Sequence, residues 1–353
     1  MLKQPALLFA LLLPLSCAPA PAADSALFQL VPPDSGVIIG LNLDQIRASS
    51  FGQSIFSQAQ ANMGPEMKKF IETTGFDPLR DIERILIAAP ARNQKSRGLF
   101  LLRGTFDRTR FAELTIQPGM TASAYRGVQV LTMKKEGAEP MSLACFDPSL
   151  VVGGDPESVR AAIMRRDRGA VPNAALAAKA GELGAANDIW LVSRVSPAEL
   201  TGEVAAGKIG GNPQMELLKS IEQVSGGLKF GSDLVLTADV TTHAATDAQN
   251  IAAALRLFIG LAASGNRNAK DAAVILQKLA LQVEGNSVKL SFAMPEAEIR
   301  KSFEAAMQQA LARGARPAGG AAVEIVKPRP APTGITIYSS PKDMGVVTLP
   351  PPK

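Results

Sequence analysis

Val128-Gln129-Val130-Leu131-Thr132-Met133, Met141-Ser142-Leu143-Ala144-Cys145-Phe146 and Leu150-Val151-Val152-Gly153 follow one another with only short polar breaks between them. Each is a short run rich in β-branched and apolar residues, bounded by Lys, Gly, Asp or Pro, which predicts strands. No stretch long enough for a helix separates them. A parallel sheet needs a crossover of a dozen residues or more between neighbouring strands, so three strands this close must pair antiparallel. That argues for an α+β fold, with helices packed on one face of an antiparallel sheet, over a doubly wound parallel sheet.

Working outward, the same grammar occurs twice. In the first stretch Gly36 to Leu43 opens as a strand, and Ile46, Phe51, Ile55, Phe56, Met67, Phe70 and Ile71 mark helix faces at 3–4 spacing. Strands are expected at Ile82–Ala89 and Gly98–Phe106, then a helix capped by Asp107 that carries Phe111 and Leu114. The three-strand run follows, and Asp155-Pro156 opens a helix with Asp as N-cap and Pro at N1. In the second stretch strands are expected at Asp188–Val195, Gln223–Phe230, Leu234–Thr241, Leu279–Glu284 and Val288–Ala293, the last two flanking the turn Gly285-Asn286. Helices are expected over Met215–Ile221, after Asp247 and after Pro295. The order therefore repeats, with one extra strand the first time.

The expected organisation is a signal peptide over residues 1–23, a first α+β domain over 24–170 and a second, duplicated one over 187–313. Gly169–Asn187, rich in Ala and Gly, is the expected boundary. A Pro-, Gly- and Ala-dense linker follows over 314–334, then a tail over 335–353. In the tail Ile335, Ile337 and Tyr338 are β-prone. They are read as a strand that docks on a sheet edge, the route by which a protein partner would be met.

The amino terminus has the three parts of an export signal: Lys3, the apolar run Ala6–Leu15, and Ala20-Pro21-Ala22 with cleavage after Ala22. The alternative is lipidation of Cys17, where Ser16 suits a lipobox and Pro14 and Leu15 do not. Export, to the periplasm or beyond, is the expectation, with membrane association only if Cys17 is lipidated.

Little chemistry is written in the rest. The chain has 353 residues, a formal net charge of +5, 5% aromatics, one tryptophan and one histidine. The densest basic cluster, Arg165, Arg166 and Arg168, has no interleaved aromatics and suits a helix C-terminus, so nucleic acid is not an expected partner. A lone His243 and a lone Cys145 beyond the signal supply neither a metal site nor a disulfide. Cys145 and Trp190 read as packing residues. Ser225-Gly226-Gly227 lacks the preceding glycine of a phosphate loop, and Ser339-Ser340-Pro341-Lys342 lacks the helix its serine would need. Asp77, Asp81 and Glu83 beside Arg80 and Arg84 read as a solvated, charge-paired face. No catalytic, cofactor-binding or metal-ligating residue is predicted. The expected function is a non-enzymatic binding or envelope-assembly role, against the alternatives of a Cys17-anchored lipoprotein and of an enzyme with a carboxylate or serine site.

Leu30-Val31-Pro32-Pro33-Asp34-Ser35-Gly36-Val37-Ile38-Ile39-Gly40-Leu41, continuing through Asn42 to Ile46, with Ser50-Phe51-Gly52-Gln53 at the following helix, resembles the start of a class of exported bacterial proteins of unknown function. The resemblance covers the first domain. It implies export and tandem α+β architecture, and no activity.

Overall fold

The computed structural model describes residues 27–90, 98–113, 119–134, 137, 139–168, 174–196, 217–265 and 278–301. The signal, Cys17, Leu114, Met215, the 314–334 linker and the tail with Ile335, Ile337 and Tyr338 lie outside them. In chain order the elements begin β1 (Ser35–Asn42), α1 (Leu43–Ala48), α2 (Ser50–Ala61), α3 (Pro65–Thr74), α4 (Pro78–Asp81), β2 (Ile82–Pro90), β3 (Leu99–Gly104) and α5 (Arg108–Glu113). Four strands follow, β4 (Met120–Tyr125), β5 (Val128–Met133), β6 (Met141–Asp147) and β7 (Leu150–Gly154), then α6 (Pro156–Arg168) and α7 (Ala174–Ala186). The rest is β8 (Ile189–Ser193), β9 (Ile221–Lys229), β10 (Asp233–Thr242), α8 (Ala245–Gly265), β11 (Leu279–Glu284) and β12 (Ser287–Pro295).

All these strands form one antiparallel sheet of 12, in the order β11-β12-β10-β9-β8-β1-β2-β3-β7-β6-β5-β4. The α+β antiparallel class is as expected. The two sequence halves, however, do not build separate sheets: β1 and β8, the opening strand of each half, pair at the centre from Val37↔Ser193 to Leu41↔Ile189. Outward from that seam the halves run β1-β2-β3-β7-β6 and β8-β9-β10-β12-β11, the same order of elements. The first half adds the hairpin β4–β5 at its far end. The addition is two strands rather than the one expected. Two added strands keep β7 antiparallel to β3, with the strand after α5 entering in the same sense as β11 does after α8.

Strand alternation sorts side chains onto two faces. One face carries Ile38, Leu86, Ala88, Leu99, Leu101, Val130, Ala144, Val152, Trp190 and Val192, covered by Val159, Ala162 and Ile163 of α6 and Leu176, Ala180 and Leu183 of α7. The stretch read as a domain boundary thus holds α7, whose Leu and Ala face closes the core over the seam. The opposite face carries three smaller clusters. Phe106, Phe111 and Phe76 cover Leu102, Leu131 and Val151. Ile251, Ala252 and Leu255 of α8 cover Val224, Val240 and Val288. Ile46 of α1, Phe51 of α2 and Ile299 cover Ile189, Leu228 and Leu234. Helices expected on one face therefore occupy both, because β-strands with apolar residues at successive positions must be buried on both sides.

The seam is close-packed. A Cβ on Gly40 would lie 2.2 Å from Cε2 of Trp190, so only glycine lets the indole lie across β1. Trp190 is 6% exposed, and its ring centroid is 6.2 Å from that of Phe28. Beside it the buried Asp188 carboxylate accepts from Lys229 Nζ at 2.7 Å and from the Phe230 backbone N–H at 2.7 Å. Asn42 N–H donates to the Asp188 carbonyl at 2.7 Å. Gly227, part of the Ser225-Gly226-Gly227 run, is the position at which a Cβ would meet the Asn187 side chain, at 2.3 Å. Those glycines serve close packing.

Gly40→Ala is expected to lower stability by about 1–3 kcal/mol through overpacking against the indole, and Trp190→Ala by about 3–5 kcal/mol. Because one sheet joins the halves, each variant should shift a single urea transition. Two separated transitions, with only one displaced, would contradict a shared sheet.

Candidate functional site

Strand β3 ends at Gly104, and Thr105 and Phe106 turn the chain away from the sheet into α5. The turn is fixed by backbone bonds: Thr105 N–H to the Asp81 carbonyl at 2.9 Å and Phe106 N–H to the Pro148 carbonyl at 2.8 Å. Asp107 then caps α5, its Oδ1 accepting from Thr109 N–H at 2.8 Å and Arg110 N–H at 3.3 Å. On the facing side α3 ends at Gly75 in the left-handed region (φ 68°), whose N–H donates to the Ile71 carbonyl. Phe76 follows at once. These two chain reversals leave phenylalanines leaning over the sheet: Phe70 and Phe76 meet edge to face at 6.5 Å, and Phe76 and Phe106 lie 5.6 Å apart.

Between them and the sheet is a cavity of about 340 Å³. Leu102, Leu143 and Val151 form its floor on β3, β6 and β7. Phe70, Phe76, Phe106 and Phe111 form its walls, and Thr74, Gly75, Arg80, Asp81, Thr105, Asp107 and Arg110 its mouth.

The mouth is charged but internally neutralised. Arg80 grips Asp81 with two bonds, Nε to Oδ1 at 2.6 Å and Nη2 to Oδ2 at 2.8 Å, and Nη2 also donates to the Gly75 carbonyl at 3.1 Å. Arg110 donates from Nη1 to the Thr74 carbonyl at 2.7 Å and lies 3.5 Å from Asp107. A Cβ on Gly75 would collide with Arg110 Nη1, so the same glycine ends α3 and admits the guanidinium. The Arg80 bonds hold the Asp81 carboxyl below the usual carboxylate range, and the Thr109 and Arg110 N–H groups do the same for Asp107. Both carboxylates stay ionised at neutral pH, and neither is poised to donate or accept a proton there.

The sequence grouped Asp77, Asp81 and Glu83 with Arg80 and Arg84 as a solvated, charge-paired face. In the structure Asp77 caps α4, its Oδ1 accepting from Leu79 N–H at 2.9 Å, and Asp81 is largely buried at the cavity mouth. Cys145 is buried in the same cluster, on the sheet face that carries the cavity floor, and burial pushes its thiol pKa up. His243 is exposed in the turn between β10 and α8, its N–H donating to the Ser220 carbonyl at 3.0 Å. Arg165, in the α6 basic cluster, donates from Nε at 3.0 Å and Nη2 at 2.8 Å to the Leu30 carbonyl, which fastens the N-terminal segment. Among the described residues no group of three or more His, Cys, Asp and Glu side chains is placed to hold a metal. No helix among them is long and apolar enough to cross a membrane.

No family model matches the chain, and no curated protein matches it. Among solved structures it is similar to TP0453 in three crystal forms. Form III gives a TM-score of 0.46 at 9% identity, covering 76% of this chain and 94% of that one. Form I gives 0.44 at 10%, covering 79% and 96%, and form IV 0.47 at 8%, covering 78% and 95%.

The Asp81 shift has a pH signature. A carboxyl held low in the folded state stabilises it above the unfolded pKa, and that contribution is lost as pH falls through the folded value. Wild type should therefore melt above Asp81→Asn at about pH 6, and the gap should close below about pH 4. A gap independent of pH would show that Arg80 and Asp81 are not coupled in the fold.

Proposed function

We propose that the protein is an exported, non-enzymatic binding protein, and that the cavity under Phe70, Phe76, Phe106 and Phe111 is its ligand site. The cavity itself carries the reading. Its floor and walls are aliphatic and aromatic, and its polar groups are confined to the mouth. A volume near 340 Å³ is at the small end of ligand sites, which run about 300–1,000 Å³. That favours one small apolar molecule or one acyl chain over a two-chain lipid. Because Arg80 and Arg110 are each matched by a carboxylate, the mouth offers no surplus charge. A neutral polar head would suit it better than an anionic one.

The catalytic alternative has less support. Among the residues lining the cavity the hydroxyls are Thr74 and Thr105, and both carboxylates are held ionised. No group there can serve as a general base with a pKa near neutrality. Attachment through Cys17 is compatible with ligand binding and concerns only where the protein is held. A protein partner reached through Ile335, Ile337 and Tyr338 remains part of the proposal.

Titration of the mature protein with 1-decanol and with decanoate, followed by calorimetry, tests the reading. Decanol should bind, more tightly than decanoate, and Leu143→Phe, which fills the floor, should weaken it by more than about tenfold while the far-ultraviolet spectrum is unchanged. Absence of decanol binding, or equal binding by Leu143→Phe, would remove the cavity as the site. The mass of the mature amino terminus settles the anchor separately: an end at Ala23 fits simple export, and a diacylated Cys17 fits the lipoprotein.

A further inference from the structure

Among the described residues the sheet of 12 strands ends in two edges, and the two differ. At one end β11 carries Gln282 and Glu284, and Glu284 is ion-paired with Lys289 of β12. At the other end β4 reads Met120-Thr121-Ala122-Ser123-Ala124-Tyr125. It holds no charge and no proline. Its six pairs with β5 run one to one without a bulge. Thr121 to Ala124 are exposed. Natural sheets usually blunt an edge with a charge, a proline or a bulge, and β4 has none of these.

The edge is also held in shape. The hairpin turn is Arg126-Gly127, both at positive φ (50° and 76°), the backbone that joins two strands through a two-residue loop. Arg126 pairs with Asp167 of α6 at 3.1 Å, and the Arg160 guanidinium lies 6.0 Å from the centre of the Tyr125 ring. The strand is thus anchored to a helix before any partner arrives, which lowers the ordering cost of association.

The turn fixes which backbone groups are free. A two-residue loop closes on a hydrogen-bonded pair, Tyr125 with Val128, and bonding alternates from there. At the other end Lys134 N–H donates to the Gly119 carbonyl at 3.0 Å, which gives the same alternation. Thr121, Ser123 and Tyr125 therefore spend their backbone groups on β5. Met120, Ala122 and Ala124 point theirs outward, one donor and one acceptor each.

We propose that β4 is a homodimer edge, on which a second copy of this chain adds its own β4 antiparallel about a two-fold axis. The outward groups allow one fully matched register about that axis: Ala122 opposite Ala122 of the second copy, with Met120 opposite Ala124 and Ala124 opposite Met120. Faces then agree, since paired residues share parity, and Thr121 and Ser123, whose hydroxyls donate to the Thr132 and Val130 carbonyls of β5, fall opposite each other in the intervening pairs. The absence of charge on the strand matters most at the axis, where any charge would meet itself. An isologous contact of this kind closes at two copies and leaves no further β4 edge.

The register supplies a decisive test by sedimentation velocity from about 1 to 100 µM, the range expected for a small, mainly backbone interface. Wild type should pass from monomer to dimer. Ala122→Lys alone and Ala122→Glu alone should stay monomeric, each placing like charges face to face, and an equimolar mixture of the two should dimerise. Both substitutions are at an exposed position, and Ala122→Val, which keeps the edge uncharged, should dimerise like wild type. A wild type that stays monomeric throughout, including one whose edge binds only unrelated extended peptides, overturns the proposal. So does a mixture that fails to associate, or a Lys variant that dimerises unaided.

Discussion

The Trp190 indole lies over Gly40 within the β1–β8 ladder, the seam that joins the two halves of the chain in one sheet. A strand interior rarely tolerates glycine without a reason, and here the reason is the 2.2 Å between a would-be Cβ and the indole. Around it the apolar side chains of β1 and β8 point to both faces, so the seam is covered on one side by α7 and on the other by α1 and α2. Asp188 supplies the polar counterpart. Its carboxylate is fully buried yet has two donors, one of them the Lys229 ammonium, so neither charge nor backbone is left unmet at the joint.

Building a sheet from both halves determines where a cavity can form. Large uniform helices would seal a face. Instead, three separate groups cover the second face; α8 supplies one of them as a long helix, whereas the one over β3, β6 and β7 is made of helix ends. Chain reversals at Gly75 and at Thr105 leave aromatic rings where a helix face would otherwise lie, and rings bridging two such reversals enclose space that aliphatic side chains would fill. The Arg80–Asp81 and Arg110–Asp107 pairs at its mouth are consequences of the same geometry, since Asp81 and Asp107 belong to the turns that make the reversals. Fold and site are therefore one problem here: Gly75, which ends α3, and Asp107, which caps the start of α5, also line the opening.

Much of the sheet was legible because buried strands must be apolar. Val128–Met133 and Leu279–Glu284 coincide with β5 and β11 to the residue. Strand β4 escaped because an edge strand buries little: Met-Thr-Ala-Ser-Ala-Tyr has no apolar run, and its period-2 alternation rests mostly on small alanines and hydroxyls. Gly169–Asn187 looked like a boundary because Ala and Gly are common in linkers, whereas α7 uses small residues to lie close to Trp190, with Gly184 about 3.1 Å from the indole nitrogen at its would-be Cβ. Helices on both faces were hidden as well, since periodicity shows that a helix has an apolar side and not which side of a sheet it meets. The cavity was not legible. Its walls come from four phenylalanines spread from Phe70 to Phe111, and the available hint was compositional: half of the chain's fourteen phenylalanines fall between Phe51 and Phe111. The charge group at Asp77 to Arg84 was visible, but sequence does not separate a solvated pair from one at a cavity mouth.

Native-state hydrogen exchange at the β1–β8 ladder tests most directly whether the seam makes the halves one cooperative unit. Amides between Val37 and Leu41 and between Ile189 and Ser193 should exchange with the same opening free energy as those of the β3–β7 and β10–β12 ladders, and all should fall together with added urea. If the seam amides instead opened at a free energy a few kcal/mol lower while both flanking ladders stayed protected, the halves would be independent folds and the Trp190–Gly40 contact a surface between them.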